Sequence, residues 1–176
     1  MKKIAVFLLL LSSLYGDAKF YTGVSYGYLN EKFANENAKA NEVDVATIKV
    51  GYGDRSAYAA EFSLNYSEAD SDYLSTEVAQ RYAINIDLVK AFDFDIYFNP
   101  FFKAGIGAGY LDTTQNNKLT FGSFKVGAGA FIPVNEHFDF EVGYEQKYLS
   151  YEKIQEDRDS ELSDVNIIYL GCNVRF

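Results

Sequence analysis

Apolar and polar residues alternate with a period of two in eight segments of this chain. The segments cover residues 20–30, 45–53, 57–67, 80–92, 97–111, 122–134, 138–151 and 165–176. Successive side chains of a β-strand point to opposite faces, so each segment predicts a strand with one apolar and one polar face. All eight exceed the roughly five or six residues of an average strand in a soluble protein. They fit the length of about 9–11 residues that a tilted strand needs to cross a bilayer.

The connections between the segments alternate between short and long. Residues 53–56, 93–96 and 135–137 form short turns, whereas residues 31–44, 68–79, 112–121 and 152–164 form longer, polar loops. Short turns in the periplasm and long loops outside the cell are typical of outer-membrane barrels. An even number of strands that starts in the periplasm also returns the chain to the periplasm. The pattern therefore predicts one barrel domain that presents its loops to the outside.

The distribution of glycine indicates which face of each strand points inward. Ten glycines share the polar faces: Gly23, Gly27, Gly51, Gly105, Gly107, Gly109, Gly127, Gly129, Gly143 and Gly171. Glycine on a solvent-exposed strand face weakens the sheet, whereas inside a narrow barrel it makes room for long neighbouring side chains. We therefore expect an all-β, closed, antiparallel, eight-stranded up-and-down transmembrane β-barrel with a polar, glycine-rich interior. Closure is required because an open sheet edge in lipid leaves backbone groups without hydrogen bonds.

Charge is distributed unevenly between the loops and the rest of the chain. The four loops hold 15 acidic and 5 basic residues, and the remainder after residue 18 holds 9 of each. Equal numbers of acids and bases allow ion pairing in a lumen, where an unpaired charge is strongly unfavourable. The acidic excess of the loops indicates either simple solvation or a surface for divalent cations or a partner.

The first residues have the order of a secretory signal peptide. Lys2 and Lys3 precede the apolar run 4–11, and Ser12 and Ser13 follow it. The run is too short for a transmembrane helix, which needs about 20 residues, and small residues favour cleavage after Ala18 or, alternatively, after Gly16. We therefore expect a signal peptide at residues 1–18, a barrel domain at residues 19–176, and a multi-pass protein of the outer membrane.

Register arithmetic predicts contacts between charged residues inside the barrel. Residues that face each other on adjacent antiparallel strands have a constant index sum. A turn centred near residue 135 sets Lys125 opposite Glu145, and one near residue 55 sets Lys49 opposite Glu61. The same reasoning places Gly129 opposite Glu141 and Lys103 beside Lys125. The predicted lumen charge network comprises Lys49, Glu61, Arg81, Asp87, Lys103, Lys125, Glu141 and Glu145.

Three strand motifs and the last residue carry a resemblance to a known family. The motifs are KAGIGAGY at residues 103–110, FKVGAGAF at residues 124–131 and FDFEVGY at residues 138–144, and the last residue is Phe176. In these features the chain resembles the small bacterial outer-membrane β-barrel superfamily that includes the OmpA transmembrane domain, OmpX and Opa-like proteins. The resemblance implies insertion by the barrel assembly machinery, with Phe176 as C-terminal assembly signal, and contact with outer-membrane lipid and lipopolysaccharide.

The resemblance leaves two functional hypotheses open. One is a structural or adhesin-like surface-interaction protein whose acidic external loops bind a host or surface ligand, and the other is a narrow porin-like channel. An enzyme is not expected, because the resemblance implies a histidine at the outer rim for lipid A deacylation or proteolysis. The single histidine, His137, lies in a predicted periplasmic turn. Cys172 is the only cysteine, and we expect no cofactor, no metal, no nucleic-acid partner and a monomeric state.

Overall fold

The structure, a computed structural model, describes residues 18–33, 41–71, 76–112, 118–152 and 162–176. Its strands are β1 (Lys19–Phe33), β2 (Asn41–Gly53), β3 (Tyr58–Ser71), β4 (Thr76–Ala91), β5 (Asn99–Asp112), β6 (Lys118–Pro133), β7 (Phe138–Tyr151) and β8 (Leu162–Arg175). Each strand pairs antiparallel with the next, and β8 pairs with β1, so the sheet closes. The predicted eight-stranded antiparallel barrel is confirmed. Among the described residues, no helix has the length and apolar character needed to cross a membrane.

The two faces of each strand differ in burial as the alternation predicts. On β7, Asp139 and Glu141 are buried, with 0% and 1% of their surface exposed, whereas Phe140 is 51% exposed. On β8, Leu170 is 68% exposed while its neighbour Tyr169 is 6% exposed. The polar face is therefore the inner one and the apolar face the outer one. A barrel in water would have the reverse arrangement, because burial of apolar surface drives its folding.

Glycines in the lumen let aromatic rings lie against the barrel wall. A Cβ atom at Gly51 would lie 2.3 Å from Cζ of Tyr21, and one at Gly143 would lie 2.4 Å from Cζ of Tyr169. Any larger residue at these two positions would displace a buried ring. Glycine in the interior is thus a packing requirement, since eight strands leave room only for side chains.

The strands extend further toward the long loops than the alternation predicts. β3 ends at Ser71 and β4 begins at Thr76, although apolar alternation in these segments is limited to residues 57–67 and 80–92. Strand pairing can continue where both faces carry polar residues, because the backbone ladder does not depend on an apolar face. Parts of the predicted long loops, residues 34–40, 72–75, 113–117 and 153–161, and predicted signal-peptide residues 1–17 lie outside the described residues.

The register differs by two residues from the prediction in three strand pairs. Lys49 faces Ser63, Lys125 faces Lys147, and Lys103 faces Gly127. The expected pairing of Gly129 with Glu141 is wrong, since Gly129 faces Gly143. The β2–β3 turn explains one shift: its hydrogen bond joins Asp54 N to Tyr58 O, so the turn is centred one residue later than expected. Likewise, the β6–β7 turn is closed by Val134 N and Phe138 O.

The lumen is divided into three layers along the barrel axis. A loop-end cluster of buried apolar residues includes Leu29, Val45, Phe121, Leu149, Tyr151, Val165 and Ile167. A turn-end cluster consists of Tyr21, Ala59, Val89, Ala91, Phe101 and Phe131. Buried lysines and carboxylates, among them Lys49, Glu61, Lys103 and Glu141, lie between these two clusters, whereas Arg81 lies at the loop end and Arg175 at the turn end. The fold therefore places a central charged layer between two apolar clusters.

Candidate functional site

The polar layer contains a central network of three lysines and four carboxylates. Nζ of Lys49 lies 3.1 Å from Oε1 of Glu61 and also pairs with Glu141. Nζ of Lys103 lies 3.5 Å from Glu61 and 3.3 Å from each of Glu141 and Glu145. Because the carboxylates are shared between lysines, the network is continuous rather than a set of separate pairs.

Lys125 completes the central network. Its Nζ lies 2.8 Å from Oδ2 of Asp87 and 3.3 Å from Oε2 of Glu145. Glu145 therefore bridges Lys103 and Lys125, as two neighbouring buried lysines require. Both expected contacts, Lys49 with Glu61 and Lys125 with Glu145, are present, although they run diagonally between strands. A two-residue change of register leaves inward residues inward, and a lysine side chain spans the difference.

Neutral donors add hydrogen bonds to two carboxylates of the central network, Glu61 and Glu141. The hydroxyl of Tyr21 donates to Glu61 over 2.7 Å, and that of Tyr169 donates to Glu141 over 2.8 Å. Nδ2 of Asn173 donates to Glu141 over 3.0 Å. A buried ion pair is favourable only when additional hydrogen bonds satisfy its remaining lone pairs, so these residues help make the network possible.

Two further ion pairs lie outside the central network. At the turn end, Nε of Arg175 donates to Oδ2 of Asp139 over 2.6 Å, and the Arg175 guanidinium lies 4.5 Å from the ring centre of Tyr21. At the loop end, Arg81 pairs with Glu31. Arg81 was predicted in the lumen network; it is buried in the lumen but makes its ion pair apart from the central lysines.

Four buried charged residues are absent from the predicted network: Glu31, Asp139, Lys147 and Arg175. For three of them, the alternation along the strand predicts an inward side chain. Asp139 and Lys147 share the inward parity of Glu141, and Arg175 lies two residues from Asn173 on the inward face of β8. Glu31 has no such signal, because the apolar pattern of its segment ends at residue 30. With these additions, the described lumen holds six buried acids and six buried bases.

The lumen is filled by side chains over its described length. Two cavities, one beside the central network and one within the loop-end cluster, have volumes of about 20 Å³ each. Such a volume accommodates about one water molecule. At the turn end, a polar vestibule of about 560 Å³ opens beside Arg55, Asn99 and Arg175. Arg175, which lines this vestibule, lies 5.6 Å from the ring centre of Phe131 in the turn-end cluster, where the rings of Phe101 and Phe131 are 4.5 Å apart.

The rim at the loop end is acidic where the structure describes it. Asp44, Glu68, Glu152 and Asp164 are exposed there, together with the base Lys32. No group of three or more metal-ligating side chains occurs among the described residues of the chain. The rim therefore offers negative charge without a preformed metal centre.

The remaining sequence candidates lie at the turn end or on the outer face. His137 is exposed in the β6–β7 turn, where its backbone N–H donates to Oδ1 of Asn135 over 2.8 Å. The backbone N–H of Phe176 donates to the carbonyl of Phe20 over 2.9 Å, and its ring is 71% exposed. Cys172 is a free, half-buried thiol on β8. The assembly role of Phe176 stays a prediction.

Comparison with known proteins identifies the architecture. The family model described as outer membrane protein beta-barrel domain matches residues 4–176. No curated protein sequence matches the chain. The crystal structure of Neisserial surface protein A is 16% identical and has a TM-score of 0.72, and the match covers 90% of this chain and 99% of that one.

Two other solved barrels show the range of proteins that share this fold. Ail of Yersinia pestis, in complex with the heparin analogue sucrose octasulfate, is 16% identical with a TM-score of 0.55, covering 90% of this chain and 99% of Ail. The outer membrane enzyme PagL is 11% identical with a TM-score of 0.59, covering 86% of this chain and 97% of PagL. Similarity at this level establishes a common fold and leaves activity to be argued from the residues themselves.

Proposed function

The chain belongs to the outer membrane protein beta-barrel domain family, and from this premise we propose that it is a surface-interaction protein of the outer membrane. In this proposal the barrel is a rigid anchor, and the acidic rim and the loops beyond it bind a partner outside the cell. The outward apolar face contacts membrane lipid and lipopolysaccharide, and the barrel assembly machinery inserts the chain. The protein acts as a monomer.

The closed lumen is the observation that carries this proposal. Both apolar clusters consist of buried, inward-facing residues, and the layer between them is packed with paired charges. A barrel with a filled interior exposes only its loops, turns and rims to water. Among the described surfaces outside the membrane, the acidic rim has the strongest charge bias, so we place the interaction there.

The charge of the rim favours a basic partner. Ail has been solved with sucrose octasulfate, which is a polyanion. An acidic rim would repel such a ligand and attract a lysine-rich or arginine-rich surface, with an association rate that falls as salt screens the charges. We further infer a non-enzymatic role, because the single histidine, His137, lies at the opposite end of the barrel from this rim.

A binding experiment tests the partner chemistry. The refolded barrel in phospholipid vesicles is titrated with a lysine-rich peptide and, separately, with sucrose octasulfate. We expect binding of the peptide alone, weakened by salt and by the triple variant Glu68→Gln, Glu152→Gln, Asp164→Asn. Glu136→Gln removes an exposed acid at the turn end and is the control. Binding of the polyanion, or peptide binding that the triple variant retains, would contradict the proposed partner.

Conductance measurements distinguish the surface-interaction protein from a narrow channel. In planar bilayers we expect no steady conductance from the wild-type barrel, because the turn-end cluster seals the lumen. The double variant Phe101→Ala, Phe131→Ala removes two rings from that seal and serves to show that the measurement detects a leak. Steady, ion-selective conductance of the wild-type protein would make the channel the better assignment.

A further inference from the structure

A small cavity lies within the loop-end cluster, on the loop side of the central network. Its volume is about 20 Å³, and two basic side chains, Arg81 and Lys147, contribute to its wall. Each of the two residues has only 6% of its surface exposed. Two buried cations beside one cavity are unusual, because like charges in a low-dielectric interior repel each other.

Arg81 has hydrogen-bond donors without protein acceptors. Its Nη2 atom donates to Glu31 and, over 3.1 Å, to the hydroxyl of Tyr151. Its Nε and Nη1 atoms are buried and have no acceptor among the described residues. A buried donor without an acceptor is destabilising by about 1–3 kcal/mol, so native proteins normally supply a partner.

Lys147 lacks an acidic partner. Its one hydrogen bond within the described part of the chain runs over 3.4 Å to Oδ1 of Asn65, and no described carboxylate lies within 4.0 Å of its Nζ. In the register it faces Lys125, whose own carboxylate contacts are Asp87 and Glu145. Lys147 is therefore a buried lysine that faces another lysine in the register and has no carboxylate in ion-pair contact among the described residues.

We propose that this cavity binds a single small monovalent anion of the halide class, with chloride as the natural occupant. Arg81 and Lys147 would provide the charge, and the hydroxyls of Ser67 and Ser123, which also line the cavity, would provide further donors. The rest of the wall is largely apolar, with Leu29, Val45, Ala83, Phe121, Leu149, Val165 and Ile167. The volume suits one particle of about the size of water and excludes sulfate or phosphate.

The overall charge of the lumen limits the affinity for the anion. Six buried acids already equal six buried bases, so the halide neutralises Lys147 locally while adding a charge to the lumen as a whole. Weak binding is therefore expected. The wall also holds one acceptor without a partner among the described residues, Oδ1 of Asn85, which lies 2.5 Å from where a Cβ atom at Gly107 would be.

Anomalous diffraction tests the site directly. Because the cavity is buried, the barrel is refolded and crystallised in sodium bromide, and matched crystals are grown in sodium gluconate. We expect a bromine anomalous peak in the cavity, in contact with Nζ of Lys147 and the guanidinium of Arg81, and no peak there in Lys147→Met crystals. A cavity that holds water without anomalous signal in bromide would overturn the proposal.

Unfolding measurements test the same site in solution. The denaturant midpoint of the refolded barrel is compared in chloride, bromide and gluconate at equal ionic strength. We expect halides to raise the midpoint of the wild type and of Lys32→Met, which removes an exposed lysine, but not that of Lys147→Met. A ligand that binds only the folded state raises the free energy of unfolding, by an amount set by its affinity and concentration. A halide effect that persists in Lys147→Met, or is absent from the wild type, would overturn the assignment.

Discussion

The inner and outer faces of the barrel differ in how far their residues depend on one another. On the inner face, Glu141 contacts Lys49, Lys103, Tyr169 and Asn173, so its loss affects four partners. On the outer face, Leu170 is 68% exposed and faces lipid. Substitutions in contact with one another are rarely additive, whereas independent sites add. Each strand thus carries two sets of residues: substitutions on its inner face should be non-additive, and those on its outer face should be additive.

The outer face also changes along the barrel axis. Tyrosines near the loops have polar neighbours: the hydroxyl of Tyr82 donates to Gln80 over 3.0 Å, and that of Tyr66 donates to Glu68 over 3.5 Å. Phenylalanines predominate near the turns, where Phe138 and Phe140 have ring centres 5.0 Å apart. Aromatic girdles lie at both membrane interfaces of an outer-membrane barrel. The tyrosine hydroxyls suit the loop end, where polar side chains accept their hydrogen bonds.

The largest effect is expected from Glu141→Ala on the inner face. This substitution removes the shared carboxylate of Lys49 and Lys103 and leaves both ammonium groups with fewer partners. Breaking a buried pair by removing one partner destabilises by about 3–5 kcal/mol, and Glu141 should lie at the upper end of this range. The measurement is denaturant unfolding of the refolded barrel in vesicles.

A double variant shows whether this effect arises from the network. Adding Lys49→Met to Glu141→Ala removes one of the stranded charges, so we expect it to restore part of the lost stability. Glu136→Gln, an exposed acid of the turn end, should leave the midpoint unchanged. Additive effects of Glu141→Ala and Lys49→Met would contradict a coupled inner face.

The next effect in size concerns Lys125 and Lys147, which face each other across β6 and β7. Lys125→Met removes the cation that contacts Asp87 and Glu145, and should destabilise by about 3 kcal/mol. Lys147→Met removes no carboxylate contact and relieves a repulsion, so in halide-free buffer its stability should equal or exceed that of the wild type. Equal losses in the two variants, measured by unfolding, would show that Lys147 has an ionic partner in the fold.

Sequence reasoning predicts the fold and the faces better than the contacts. Alternation alone assigns Glu61, Lys125 and Glu145 to the interior, because parity survives any even change of register. The partner of each residue depends on turn geometry, and the β2–β3 turn is centred one residue later than composition indicates.

Glu31 shows a second limit of sequence reasoning. It lies beyond the last apolar residue of its segment, yet β1 continues to Phe33 and carries Glu31 into the lumen. Its ion pair with Arg81 joins strands that are far apart in the chain. Local periodicity contains no information on such a long-range contact, so a three-dimensional structure was needed to find it.

The smallest effect on stability is expected from Phe176→Ala on the outer face. The ring is 71% exposed, so its removal breaks few contacts within the protein, while the backbone hydrogen bond to Phe20 stays intact. We expect a change of about 1 kcal/mol or less in unfolding free energy, since full burial of such a ring contributes about 1.5–3 kcal/mol. If Phe176 is also recognised during insertion, the amount of Phe176→Ala protein in the outer membrane should fall more than this loss of stability explains. The control is Phe140→Ala, which removes an outward ring of β7 and should lower the amount only in proportion to its loss of stability. Unchanged levels of Phe176→Ala in membrane fractions would remove the assembly role and leave the ring as one independent member of the outer face.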